Sequence, residues 1–248
     1  MFKRLTIIAV LVSLTLIAAA QSVSPAQPVK EKWPIRQVQV GKKTFNVADV
    51  NDESHIYKEV ADKSRCLFVV SKQEYRLYVY EVSGKDTLLV AHFPVCYGRY
   101  PEGKTKTGDS RTPDCTIAAP FRISQIQNAS SWTHDFKDGR GAFPAYGAWF
   151  IRLDLSKSDT PAAIRSNRSI GIHGSTGNAE SVPGRDSEGC IRLRDADIKI
   201  LKEKYAQVGV KVVVKAYTVG KYPFELRAEK ALGDKYQKQT AGNPLVKK

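Results

Sequence analysis

The sequence predicts a mainly β domain with one or two short helices, on three observations. From Cys66 onward, runs rich in Val, Leu, Tyr and Phe recur at strand length, divided by polar or glycine-bearing breaks. Only Asp195 to Val208 keeps a clear helical spacing, with Ile198, Leu201, Tyr205 and Val208 three and four apart. No segment repeats itself, and 248 residues suit one domain of ordinary size plus extensions.

Lys3 and Arg4 precede an apolar run from Leu5 to Ile17, and Ala18-Ala19-Ala20 supplies small residues before Gln21. That order predicts a secretory leader over 1–20, because the apolar run is shorter than the roughly 18–20 residues of a spanning helix. The mature chain is then exported, with no stable membrane span. Residues 21–63 read as a linker or extension: polar and proline-containing to Ile35, then a weak alternation from Arg36 to Val47 around Gly41 that suits a hairpin. Val50 to Ala61 suits a short helix. Strands are expected at Cys66 to Val70, Tyr75 to Val82 and Leu88 to Val95, followed by a polar loop from Gly98 to Pro113. Further strands are expected at Thr116 to Gln127, Ala148 to Leu155 and Ser169 to His173. The helix from Asp195 carries Asp195 and Asp197 in its first turn, where acids favour the dipole. A last strand spans Val210 to Ala216. The basic tail over 219–248 reads as a helix of modest stability or an unstructured end.

Net charge is +14. On an exported chain this suits an anionic partner such as cell-wall polymer. Nucleic acid is excluded as the partner, since export removes the chain from it and no recognition motif is present.

The chemistry concentrates in residues 170–197. His173 ends an apolar run beside flexible Gly174, and Cys190 follows Gly189 in a segment leading through Arg192 into the helix. A cysteine that transfers acyl groups needs a basic partner to raise its thiolate fraction and backbone donors for the oxyanion. Gly189 lets the chain approach a substrate carbonyl closely, so amides around 188–190 are candidate donors. His55, His92 and His134 read as structural or surface groups. No pair has zinc-site spacing, so neither metal nor cofactor is expected.

His173-Gly174, twelve residues, then Ser187-Glu188-Gly189-Cys190-Ile191-Arg192 resembles the signature of L,D-transpeptidase catalytic (YkuD-type) domains. Phe93 to Gly98 resembles that family's strand ending in glycine, and Lys106 to Pro113 its Gly-Asp-x-x-Thr-Pro loop. Gln125 to Gly139 and Ala145 to Leu153 are similar to segments of Bacteroidetes-like secreted members. The likeness covers roughly 64–216, so 64–218 is the expected catalytic domain. Asp114-Cys115, Cys96 and Gly147-Ala148-Trp149 depart from the pattern, none of them at the His–Cys core.

The resemblance implies a β-sandwich or open barrel with the cysteine on a loop facing a cleft. It implies Cys190 as nucleophile, His173 as base, and a backbone carbonyl at Gly174 orienting the imidazole. Ser187 and Arg192 would shape the pocket and meet the substrate's anionic end, with Gly189 at the oxyanion and Tyr146 and Trp149 as cleft walls, as Trp132 also could be. The implied reaction opens the bond after meso-diaminopimelate in a peptidoglycan tetrapeptide stem, releases D-alanine and leaves a thioester. A stem amine then gives a 3→3 cross-link; water would give carboxypeptidase activity, and a protein amine would give wall anchoring. It further implies a periplasmic or wall-associated site and a cysteine open to carbapenems. A different class, a non-catalytic wall-binding protein that kept the fold, stays open beside these. So do the cysteine pairings: a Cys96–Cys115 bridge would leave Cys66 a free buried thiol.

Overall fold

Strands dominate because most apolar residues alternate or run continuously over four to eight positions, too short for helices. The structure, a computed structural model, describes residues 31–241, with side chains through residue 235. The expected leader 1–20, residues 21–30 and the end of the tail at 242–248 lie outside the described residues. Among those described, no helix is long and apolar enough to cross a membrane.

The chain opens on a hairpin, β1 (Ile35–Val40) and β2 (Lys43–Ala48), turned at Gly41. A short strand β3 (His55–Ile56) leads to β4 (Cys66–Ser71), β5 (Arg76–Ser83), β6 (Asp86–Pro94) and β7 (Cys96–Gly98). After a long loop come β8 (Phe121–Asn128), the small hairpin β9 (Thr133–Asp135) and β10 (Ala142–Pro144), and β11 (Trp149–Asp154). Then follow β12 (Gly171–His173), β13 (Gly184–Ser187), β14 (Ile191–Arg192), helix α1 (Asp195–Lys204), β15 (Lys211–Lys215) and helix α2 (Pro223–Ala241). Thirteen strands form one open sheet in the order β1-β2-β13-β7-β14-β12-β11-β8-β15-β4-β5-β6-β3, with β9 and β10 a separate pair. The result is a single, mainly β domain with two α-helices.

The sheet curls over its principal core, where Phe68, Val70 and Leu77 from one half meet Ile151, Ile172 and Ile191 from the other, closed by Ile198 and Leu201 of α1. Each such burial contributes roughly 1.5–3 kcal/mol relative to exposure. Alternate residues of β4, Leu67 and Val69, face the other way and join Tyr80 and Val213 beneath Phe224 and Ala228 of α2. Both faces of β4 are therefore covered, which is why its sequence runs apolar without alternation. Lys215 and Glu225, both fully buried, pair at 3.0 Å and tie α2 to β15.

Three expectations need correction, and the cysteine pairing left open is decided. Val50 to Ala61 is not helical: only Val60 of residues 51–60 is buried, so a helix there would have no apolar face, and the backbone instead bonds the edge of β6 through Tyr57 N–H and Val90 O at 2.8 Å. The strand expected from Thr116 starts at Phe121, after a turn closed by Ala119 N–H on Thr116 O. The helix from Asp195 ends at Lys204, leaving Val208 exposed ahead of Gly209 at φ +93°. No Cys96–Cys115 bridge forms. All four thiols are free; Cys96 on β7 accepts from Asp186 N–H at 3.2 Å, while Cys115 lies against β15, with four strands between them in the sheet order.

Candidate active site

The segment that carries the candidate chemistry is a crossover between two neighbouring parallel strands. β12 and β14 pair side by side, with His173 opposite Arg192. His173 thus ends one strand and Cys190 immediately precedes the other, so 17 positions of chain return to nearly the same point. β11 flanks β12 on its other side and sets Phe150 opposite His173.

His173 is 3% exposed. Its ring stacks on Phe150 at 5.6 Å between centroids and meets the edge of Tyr146 at 4.8 Å. Nδ1 lies 2.6 Å from the carbonyl oxygen of Gly174. A carbonyl only accepts, so Nδ1 carries the hydrogen and Nε2 keeps the lone pair. Burial, with help from the Arg192 charge, pushes the imidazole down to about 3, against the opposing pull of the Gly174 bond. It is neutral at any ordinary pH.

Gly174 is held from behind. Its N–H donates to Tyr146 O at 2.7 Å, and Asp195 at the start of α1 accepts from Ser175 N–H at 2.8 Å. Gly147, at φ +68°, packs so closely that a Cβ there would meet the Gly174 Cα at 2.8 Å and Asp195 Oδ1 at 2.7 Å. Only glycine fits that position.

The half-buried Cys190 donates its S–H to Ser169 O at 3.3 Å. Burial raises its pKa; the Gly171 N–H and the charges of Arg192, Lys104 and Arg152 act in the opposite sense. Ser187 Oγ donates to Cys190 O at 2.6 Å and accepts from Gly189 N–H at 3.1 Å, bracing the turn before Cys190. Gly189 sits at φ +137°, and a Cβ would press on Arg111 O at 2.8 Å. Its amide is therefore engaged by Ser187 here, and what the position contributes is a bare backbone beside the thiol.

Cys190, His173, Ser187, Arg192 and Tyr146 all line one cleft of about 520 Å³. Trp149 does not. It packs on the principal core with Lys202 of α1 4.2 Å from its ring centroid. The aromatic wall comes instead from Trp132, Phe136 and Phe150, and the β9–β10 hairpin brings His134 to the rim, 2.9 Å from Glu188.

The family model of the L,D-transpeptidase catalytic domain (YkuD) matches residues 67–214. The chain belongs to the L,D-transpeptidase family. Among solved structures it is similar to Bd1075 of Bdellovibrio bacteriovorus, at 16% identity and TM-score 0.45, covering 73% of this chain and 60% of that one. It is also similar to the helical cell shape determining protein Pgp2 of Campylobacter jejuni, at 16% identity and TM-score 0.41, covering 73% and 56%. An L,D-transpeptidase from Xylanimonas cellulosilytica follows at 15% identity and TM-score 0.34, covering 63% of each chain. The chain thus spans about six-tenths of the length of these relatives. Comparison with curated proteins finds no match.

For an L,D-transpeptidase-family chain, Arg192 was expected at the substrate's anionic end. Its side chain is 2% exposed, covered by the Phe136 ring at 5.1 Å, and Nη1 is directed at Asp186 O at 3.3 Å and Ser181 Oγ at 3.5 Å. It braces the backbone before Cys190. Sequence reasoning missed Lys104, Arg152 and Ser169 as cleft residues. Only Arg152 had a signal available, lying two positions beyond Phe150 and so on the same strand face.

Proposed function

We infer that the protein is a peptidoglycan L,D-transpeptidase in which Cys190 is the nucleophile and His173 the general base. One observation carries the reading: the imidazole is neutral, with Nδ1–H tied to Gly174 O and Nε2 free, in the cleft that holds the thiol. A base so oriented takes the thiol proton as sulfur attacks the carbonyl of meso-diaminopimelate. Collapse of the tetrahedral adduct breaks the bond to D-alanine, whose nitrogen takes that proton from His173, and leaves a thioester. An amine of a second stem then attacks, losing its proton to His173, and the thiolate departs and is reprotonated. The scissile amide is retained as thioester, so the cycle needs neither metal nor ATP. A basic chain exported to the periplasm suits this anionic polymer.

Incubation with disaccharide-tetrapeptide and analysis of the products tests the reading. A 3→3 dimer with release of D-alanine is expected from wild type and none from Cys190→Ala. Tripeptide alone would assign water as the acceptor, making the protein an L,D-carboxypeptidase, and a labelled protein amine joined to the stem would assign wall anchoring. Unchanged tetrapeptide with wild type would favour a non-catalytic wall-binding role.

A further inference from the structure

The cleft is lined by three cations, Lys104, Arg152 and Arg192, and one carboxylate, Glu188. Lys104 is buried and paired with Asp109 at 2.7 Å. Arg192 is buried behind Phe136, and Glu188 is held by His134. Arg152 is different. It is half-buried, and its named partners are neutral: Gln127 Oε1 at 3.0 Å from Nη2 and 3.3 Å from Nε, the main-chain oxygen of Arg168 on Nη1, and the Phe150 ring 5.1 Å below the guanidinium. Its positive charge has no carboxylate among these partners.

Its position is set by the sheet. Phe150 and Arg152 stand on the same face of β11, with Phe150 opposite His173 and Arg152 opposite Gly171. Two residues along a strand is about 6.6 Å, so the guanidinium stands one side-chain row away from the imidazole, beside Asn167 and Ser169 on the cleft wall. A carboxylate bound there would be a few bonds from a carbonyl presented to Cys190. The neutral partners orient the guanidinium without neutralising it, which suits capture of a planar anion.

We propose that Arg152 is the specificity-determining residue that binds a carboxylate of the donor peptide, the role Arg192 is too buried to fill. The inference rests on the donor reading above and adds which residue selects for the acid.

Acylation kinetics test it, with intact-mass detection of the thioester on the full chain. Three donors are compared: the tetrapeptide with all carboxylates free, the same peptide with the diaminopimelate side-chain carboxylate as carboxamide, and the same peptide with its terminal D-alanine amidated. Wild type should prefer the free acid over one of the two amides by about tenfold to a hundredfold in kcat/KM, the range set by loss of one charge-assisted contact. Arg152→Met should abolish that preference by raising KM for the acid alone, with kcat little changed, and Arg152→Lys should restore part of it. Equal losses on acid and amides would overturn the inference, marking Arg152 as structural, and so would an unchanged preference in Arg152→Met. A wild type that acylates no donor overturns this inference together with the proposed function, whereas turnover without acid preference overturns the role of Arg152 alone.

Discussion

Burial holds the His173 imidazole at about 3 and pushes the Cys190 thiol above its ordinary value. The resting couple is therefore thiol and neutral imidazole rather than an ion pair. Alkylation of Cys190 by iodoacetamide should climb about tenfold per pH unit between pH 6 and 8, because the thiolate fraction rises that fast well below the thiol pKa. A plateau across that range would mean a preformed thiolate. Gly147 gives a second prediction. Replacing it with alanine pushes on Gly174 and Asp195, and so on the carbonyl that orients His173. A misplacement near 1 Å should cost about a hundredfold in the acylation rate. Rate loss in Gly147→Ala with the thermal midpoint nearly kept would separate misplacement from unfolding.

At the scale of elements, the β9–β10 hairpin reaches over the cleft and is fastened by Arg140. That guanidinium donates to Gly177 O at 2.6 Å, to Asn178 Oδ1 at 2.8 Å and to Asp138, and lies 4.6 Å from the Phe143 centroid. Arg140→Ala should free the hairpin and raise KM for the donor severalfold more than it lowers kcat, read from initial rates; an unchanged KM would sever the hairpin from substrate binding. The N-terminal hairpin has a comparable hold on the site. β2 adjoins β13 at Gly184, and Lys43 pairs with buried Asp186 at 3.1 Å.

These contacts mark the limit of what was legible in the sequence. Strands β4, β5, β6, β11 and β15 were readable because runs such as Leu67 to Val70 and Val212 to Val214 declare themselves by composition. The motif around Cys190 was readable by resemblance, and the hairpin at Gly41 by its alternation. β13 was not, since Gly-Arg-Asp-Ser has no apolar period and becomes a strand only because β7 and β2 lie beside it. Arg192 and Arg152 could not be told apart either. Both are arginines on strands that line the cleft, and only the fold shows Arg192 buried behind Phe136 and Arg152 half-buried.

Across the whole molecule, two histidines sit neutral inside the fold. His92 is also pushed down to about 3, first by burial and then by the Arg76 charge beside it. An unfolded imidazole titrates near 6.5, so between pH 6.5 and 3 the unfolded chain binds more protons than the folded one. Stability therefore falls as pH drops through that window, more for His173 than for half-buried His92. The urea midpoint should decline from pH 7 to 4.5, and His173→Gln should flatten that slope; an equal slope in the variant would mean other groups govern it.

Whether Cys190 accepts the acyl group is read by intact-mass spectrometry after exposure to a carbapenem. One covalent adduct is expected on wild type and none on Cys190→Ala. An adduct persisting in Cys190→Ala, or no adduct on the wild-type chain, would contradict it.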